Sequence, residues 1–151
     1  MRGLTRRAAL ALGASGAALT LIGWSNSALA AAKETAEQIA KFTGGKEAAK
    51  SKVSIELPEI AENGNTVPLS ISVDAPMTEA DYVSDVLVVA EGNPNPGVGT
   101  FHFTPLSGKA EASTRIRLAT TQNIVVVAKT SSGKFYTAQK LVKVTIGGCG
   151  G

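Results

Sequence analysis

Alternating apolar and polar positions dominate the chain beyond residue 50. The segments that alternate are 53–57, 67–73, 101–103 and 114–118. A period of two is that of a strand with one buried and one solvent-facing side. Two uninterrupted apolar runs, 86–90 and 124–128, predict central strands.

The last strand is predicted over residues 134–146. Its length predicts a bulge near 139–141, where the apolar phase shifts from Ala138 to Leu141. About seven strands at roughly ten-residue intervals predict an all-β fold, an antiparallel β-sandwich of immunoglobulin-like or fibronectin-like character.

Local signals interrupt the strand pattern at a few positions. Residues 33–42 have a helical rhythm that predicts a short N-terminal helix, which Gly44 and Gly45 end. The pair Asn63-Gly64 predicts a turn. Pro68 lies inside a predicted strand and therefore indicates an edge position or one without a ladder hydrogen bond.

The first 30 residues have the pattern of an export signal. They contain three arginines, among them the pair Arg6-Arg7, and no acidic residue. The apolar run 8–22 is about 15 residues long, shorter than the roughly 20 that span a bilayer. Cleavage after Ala30 or after Ala32 fits the small-residue pattern that follows. We therefore expect residues 1–30 to be a twin-arginine-type signal and the mature protein to be periplasmic, with no membrane anchor.

Charge balance then excludes nucleic acid as an expected partner. The chain has 15 basic and 12 acidic residues, and because the signal holds three of the basic ones, 12 of each remain. Basic and acidic residues are interspersed, so no basic patch is expected. Residues 31–146 are enough for one compact domain that includes the helix and the sandwich.

The sole cysteine lies near the end of the chain. Cys149 follows Gly147 and Gly148 and precedes Gly150 and Gly151. Glycines cannot pack a side chain, so we expect residues 147–151 to form a flexible arm that presents the thiol. An unpaired cysteine in an exported protein indicates a reactive thiol or an intermolecular disulfide. Covalent carriage on Cys149, a disulfide crosslink and an incidental cysteine in a frayed tail all remain open on this pattern.

Other candidate sites are weak. His102 is the sole histidine and alternates with two phenylalanines, which predicts an exposed strand position. The acidic residues Glu56, Glu59, Glu62, Asp81 and Asp85 fall on predicted loops or outward strand positions. One thiol and one imidazole do not make a metal site, and no hydrolase triad, phosphate loop or dinucleotide fingerprint occurs. We expect no catalytic residue, no metal and no cofactor.

Three segments carry a resemblance to a known family. They are 53–64 (VSIELPEIAENG), 101–106 (FHFTPL) and 144–151 (VTIGGCGG). Together with the twin-arginine-like signal they resemble the SoxY family, the sulfur carriers of periplasmic thiosulfate oxidation. The resemblance covers nearly the whole mature chain. Ala9 departs from the aromatic residue often found two places after the arginine pair.

The resemblance implies a function as well as a fold. It implies that Cys149 holds sulfur intermediates covalently and that the glycines around it give access. It also implies a heterodimer with SoxZ and transient docking to SoxAX, SoxB and the sulfane dehydrogenase SoxCD. In that scheme the carrier itself catalyses nothing and needs no cofactor beyond its transient adducts.

Signal removal predicts a change in fluorescence. Trp24 is the sole tryptophan and lies within residues 1–30. We expect the protein isolated from the periplasm to show no tryptophan emission and to start at Ala31 or Lys33 by intact mass. Tryptophan emission from exported protein would contradict cleavage at these sites.

Overall fold

The computed structural model describes residues 23–148, with side chains from residue 30 onward. The predicted signal residues 1–22 lie outside it, as do Cys149, Gly150 and Gly151. The chain divides into two compact units, residues 1–30 and 31–151. In the described part of the chain, no helix combines the length and the apolar character that crossing a membrane requires.

The described residues form one α-helix and eight strands. These are α1 Gly23–Thr43, β1 Val53–Glu56, β2 Ile60–Asn63, β3 Val67–Val73, β4 Val83–Ala90, β5 Gly97–His102, β6 Ala110–Ile116, β7 Gln122–Thr130 and β8 Phe135–Ile146, with a 3₁₀ turn at Pro105–Ser107. One sheet has the order β1-β3-β6 and the other β2-β8-β7-β4-β5. All pairs are antiparallel except β2 with β8. The predicted β-sandwich is confirmed, with one strand more than expected.

The core lies between the two sheets. Strand β3 buries every second residue, and these are Val67, Leu69, Ile71 and Val73. The facing sheet contributes the alternate residues of its central strands, which are Val86, Val88, Ile124, Val126 and Val142. Several are fully inaccessible to solvent, so the sandwich interior is closed around them.

The carboxyl-terminal end of helix α1 packs on the outer face of the five-stranded sheet. A second apolar cluster there contains Leu87, Val89, Val125, Val127 and Phe135. Ile39 and Phe42 of α1 pack against it, and the rings of Phe42 and Phe135 meet edge to face with centroids 6.2 Å apart. Strands β4 and β7 are therefore covered on both faces, which explains their uninterrupted apolar runs and confirms that they are central.

Two glycines end the helix as predicted. Gly44 and Gly45 have φ angles of 64° and 79°, and the Gly45 N–H donates to the carbonyl of Ala40 at 3.0 Å. Glycine reaches this left-handed conformation without the steric cost that a Cβ would add. The helix begins at Gly23, ten residues before the predicted start.

The predicted bulge in β8 is wrong. Its pairing with β7 is unbroken from Gln122 opposite Val142 to Lys129 opposite Phe135. The apolar phase shifts at Leu141 because this side chain is 51% exposed, on the same face as Phe135, whereas Val142 is buried in the core on the inner face. Register shifts occur instead within β4, between Val83 and Asp85 and between Val88 and Val89.

Strand β2 was not predicted from the sequence. It has four residues, of which Ala61 alone is buried, and it runs parallel to the end of β8. Pro68 lies in the central strand β3, but beyond the residues 70–73 that pair with β1. Pro68 therefore has a paired strand on one side only, which agrees with the predicted position without a ladder hydrogen bond.

The contact between α1 and the sheet predicts a stability effect. We expect Phe42→Ala to lower the free energy of unfolding by about 1–2 kcal/mol, because it removes a partly buried ring from an aromatic pair. Glu34→Ala, on the exposed side of the same helix, is the control and should leave it nearly unchanged. Urea denaturation measures both, and equal effects would contradict this role of Phe42.

Candidate functional site at the carboxyl end of β8

The end of β8 lies beside the turn that follows β2. Parallel pairing sets Ala61 opposite Val144 and Asn63 opposite Ile146. The backbone of Gly64, the first residue after β2, donates its N–H to the carbonyl of Ile146 at 2.7 Å. The short strand β2 therefore brings residues 63–65 to the point where the chain leaves the sandwich.

Two backbone hydrogen bonds join the terminus to two loops, and a third joins the loops to each other. Besides the bond from Gly64 to Ile146, Gly148 N–H donates to the carbonyl of Leu118 at 2.9 Å, and Leu118 N–H donates to the carbonyl of Gly64 at 2.8 Å. Leu118 lies in the connection 117–121 between β6 and β7 and is fully buried. Gly148 is buried as well. The chain is thus held to the domain up to its last described residue.

The structure differs here from the expected arm that is free from Gly147 onward. A Cβ on Gly148 would lie 2.7 Å from the carbonyl oxygen of Gly64, and one on Gly147 would lie still closer to the oxygen of Ala119. Cβ atoms essentially never approach other atoms within 3.0 Å. These two glycines therefore permit close backbone packing. Cys149, the predicted attachment residue, lies outside the described residues with Gly150 and Gly151, so its role stays a prediction.

A buried amide pair braces the connection 117–121. The Asn93 side chain donates to the carbonyl of Arg117 at 2.9 Å and accepts from the N–H of Ala119 at 2.9 Å. It also accepts from Gln122 at 2.8 Å, and Gln122 accepts from the N–H of Gly92 at 2.8 Å. Both side chains are at least 95% buried. Sequence reasoning missed them, because an asparagine in a proline-rich loop predicts only a turn.

His102 forms an ion pair on the sheet surface. Its Nδ1 lies 2.6 Å from Oδ1 of Asp85, whose Oδ2 accepts a hydrogen bond from Ser84 at 2.8 Å. The His102 side chain is 74% exposed, which confirms the predicted exposed strand position. A hydrolase triad needs the histidine between serine and carboxylate. Here the carboxylate lies between the other two, so this arrangement is not a triad.

The surroundings of Asp85 set its ionisation. Partial burial acts to raise the pKa of Asp85, but the hydrogen bonds from Ser84 and His102 and the electrostatic attraction of His102 and Lys129 outweigh it. The net result is a pKa below its ordinary value of 3.8. Among the described residues, no group of three His, Cys, Asp or Glu could hold a metal ion.

The ion pair predicts a small, pH-dependent stability effect. We expect His102→Ala to lower the free energy of unfolding by about 0.2–1 kcal/mol at neutral pH, because the pair is largely exposed. Since the folded-state pKa of Asp85 is depressed, its contribution is complete above the ordinary value of 3.8 and is lost as pH falls through the lower folded value. The difference from the unmodified protein should shrink over that range.

Urea denaturation at several pH values measures this difference. Glu79→Ala removes a charged side chain from an exposed loop and is the control. Below pH 3.8, a difference for His102→Ala that grows as the pH falls further would contradict the assignment.

Solved structures support the fold. The sulfur carrier protein SoxY from Chlorobium limicola f thiosulfatophilum is 34% identical, has a TM-score of 0.62, and the match covers 76% of this chain and 99% of that one. A superoxide reductase (neelaredoxin) from Ignicoccus hospitalis is 21% identical with a TM-score of 0.56, covering 62% and 80%. A putative superoxide reductase from Thermotoga maritima is 16% identical with a TM-score of 0.52, covering 68% and 89%. At these identities, the similarity to the two reductases shows that the fold is shared and does not indicate a shared function.

A family model identifies the chain more closely. No curated protein matches it. The model described as sulfur oxidation protein SoxY matches residues 39–149, which include the end of α1, all eight strands and Cys149. With the SoxY structure from Chlorobium, this match shows that the chain belongs to the SoxY family of sulfur carrier proteins.

Proposed function

We propose that this protein carries sulfur intermediates of thiosulfate oxidation as covalent adducts of Cys149 and presents them to partner enzymes. The observation that carries the proposal is the position of the sole cysteine. It is the last residue of the SoxY family match and follows directly on Gly148, where the structure holds the chain at the end of the sandwich. A thiol at this position directly follows a residue that is hydrogen-bonded to the folded domain.

The chemistry requires a thiol and an external oxidant. A new sulfur–sulfur bond between the Cys149 thiolate and the outer sulfur of thiosulfate releases a pair of electrons, which a haem enzyme of the SoxAX type accepts. Hydrolysis of the terminal sulfonate by a SoxB-type enzyme adds water, releases sulfate and leaves a persulfide. SoxCD then accepts electrons from the outer persulfide sulfur while water supplies three oxygens to it, which leaves a sulfonate on the cysteine sulfur. A second hydrolysis adds water, releases a second sulfate and returns the thiol.

The partner supplies what the thiol lacks. Free cysteine thiols are mostly protonated at neutral pH, and the thiolate is the nucleophile. We therefore expect the oxidising enzyme to remove the proton as well as the electrons. In this scheme the chain is a non-catalytic subunit without a resident cofactor, paired with SoxZ in the periplasm.

Removing the thiol tests the proposal. We expect Cys149→Ser to abolish sulfate formation from thiosulfate in a reconstituted system, because no other cysteine offers an attachment point. Its melting temperature should stay unchanged, since Cys149 follows the last strand. A matched control, Cys149→Ser with Lys109→Cys, restores one exposed thiol elsewhere and should remain inactive.

Two outcomes would overturn the carrier role. One is sulfate formation by the Cys149→Ser protein at the unmodified rate. The other is the absence of adducts on Cys149. We expect sulfur, sulfonate or thiosulfonate adducts there when protein purified from thiosulfate-grown cells is measured by intact mass spectrometry. A disulfide-linked dimer as the sole modified form would support a crosslinking role instead.

A further inference from the structure

We infer that Gly64, Leu118 and Ala119 form a backbone notch that holds Gly147 and Gly148 and so fixes the point from which Cys149 extends. This inference rests on the proposed function, and it assigns to Gly64 the role of a positioning residue. Gly64 meets the terminus because β2 runs parallel to β8. Leu118 and Ala119 meet it because they precede Gln122 of β7, which pairs with Val142 of β8.

The glycine at position 64 is required by packing. Its φ is not among the positive values found at Gly44, Gly45, Gly108 and Gly133, so the turn itself does not demand glycine. A Cβ at Gly64 would lie 2.7 Å from the backbone nitrogen of Gly148 and nearer still to the carbonyl oxygen of Leu118. Both are main-chain atoms, which cannot swing aside as a side chain can.

The requirement is reciprocal. A Cβ on Gly148 would meet the carbonyl oxygen of Gly64 at 2.7 Å and the backbone nitrogen of Asn65 at 3.0 Å, and one on Gly147 would meet the oxygen of Ala119. Gly64 and Gly148 can therefore approach each other closely only because neither has a Cβ. The buried Asn93 and Gln122 hold the connection 117–121 in place, so the notch exists before the terminus enters it.

The notch binds Gly147 and Gly148 specifically but weakly. Glycines bury no side chain, and Gly148 makes its bond with a single N–H. The net contribution of one hydrogen bond to stability is modest. With Gly148 in the notch, Cys149 is one residue from the held point and reaches at most about 3.5 Å from it, whereas release back to Ile146 puts it three residues away and extends this reach to about 10 Å. The notch thus limits the reach of the thiol, and release lengthens it.

Amide hydrogen exchange of the intact mature protein, followed by NMR without any partner, tests the notch. We expect the Gly148 amide to exchange at least about tenfold more slowly than in an unstructured peptide. Gly64→Ala should remove this protection while the Val126 amide in the core keeps its own. Gly99→Ala is the matched control, because a Cβ at Gly99 meets nothing within 4 Å.

A second variant covers the case in which Gly64→Ala does not fold. Gly148→Ala lies after the last strand, so the core does not depend on it, and the residue 148 amide should lose protection in the same way. If the Gly148 amide of the unmodified protein exchanged as fast as in an unstructured peptide, the notch would be overturned. Retained protection at residue 148 in either folded variant would overturn it too. Neither result bears on covalent carriage, which the Cys149→Ser experiment decides separately.

Discussion

Burial of β4 and β7 on both faces is the constraint on which the rest of the structure depends. Their inner residues face the three-stranded sheet, and their outer residues face α1. A strand apolar on both faces is stable only where both are covered. This requirement fixes the five-stranded sheet as the middle layer and makes α1 part of the fold rather than an appendage.

The middle layer also determines the geometry of the terminus. Strand β8 pairs with β7 along eight residue pairs, from Phe135 to Val142, without a register shift. On its other edge β8 accepts β2, and this pairing delivers Gly64 to the end of the last strand. The position of Gly148 therefore follows from the core through a continuous series of backbone hydrogen bonds.

The features that could be predicted from the sequence are those determined by residues close together in the chain. Gly44 and Gly45 end a helix through their own φ angles, and the apolar runs in β4 and β7 report burial directly. Cys149 stands out because it is the sole cysteine, set among glycines.

Features with distant causes were missed or misread. Strand β2 has one buried residue and a partner some 80 positions away, so its own pattern carries almost no signal. The apolar phase of β8 shifts at Leu141 because that side chain is exposed, and an apolar residue type alone does not reveal its exposure. Gly147 and Gly148 have the composition of a flexible segment, and only the carbonyls of Ala119 and Gly64 show that they pack.

The amide of Asn93 links the loop before β5 to the terminus. It holds Arg117 and Ala119, on either side of the carbonyl that binds Gly148. A substitution at Asn93 would therefore disturb the carbonyl to which Gly148 donates, although residue 93 is more than 50 positions from the terminus in the chain.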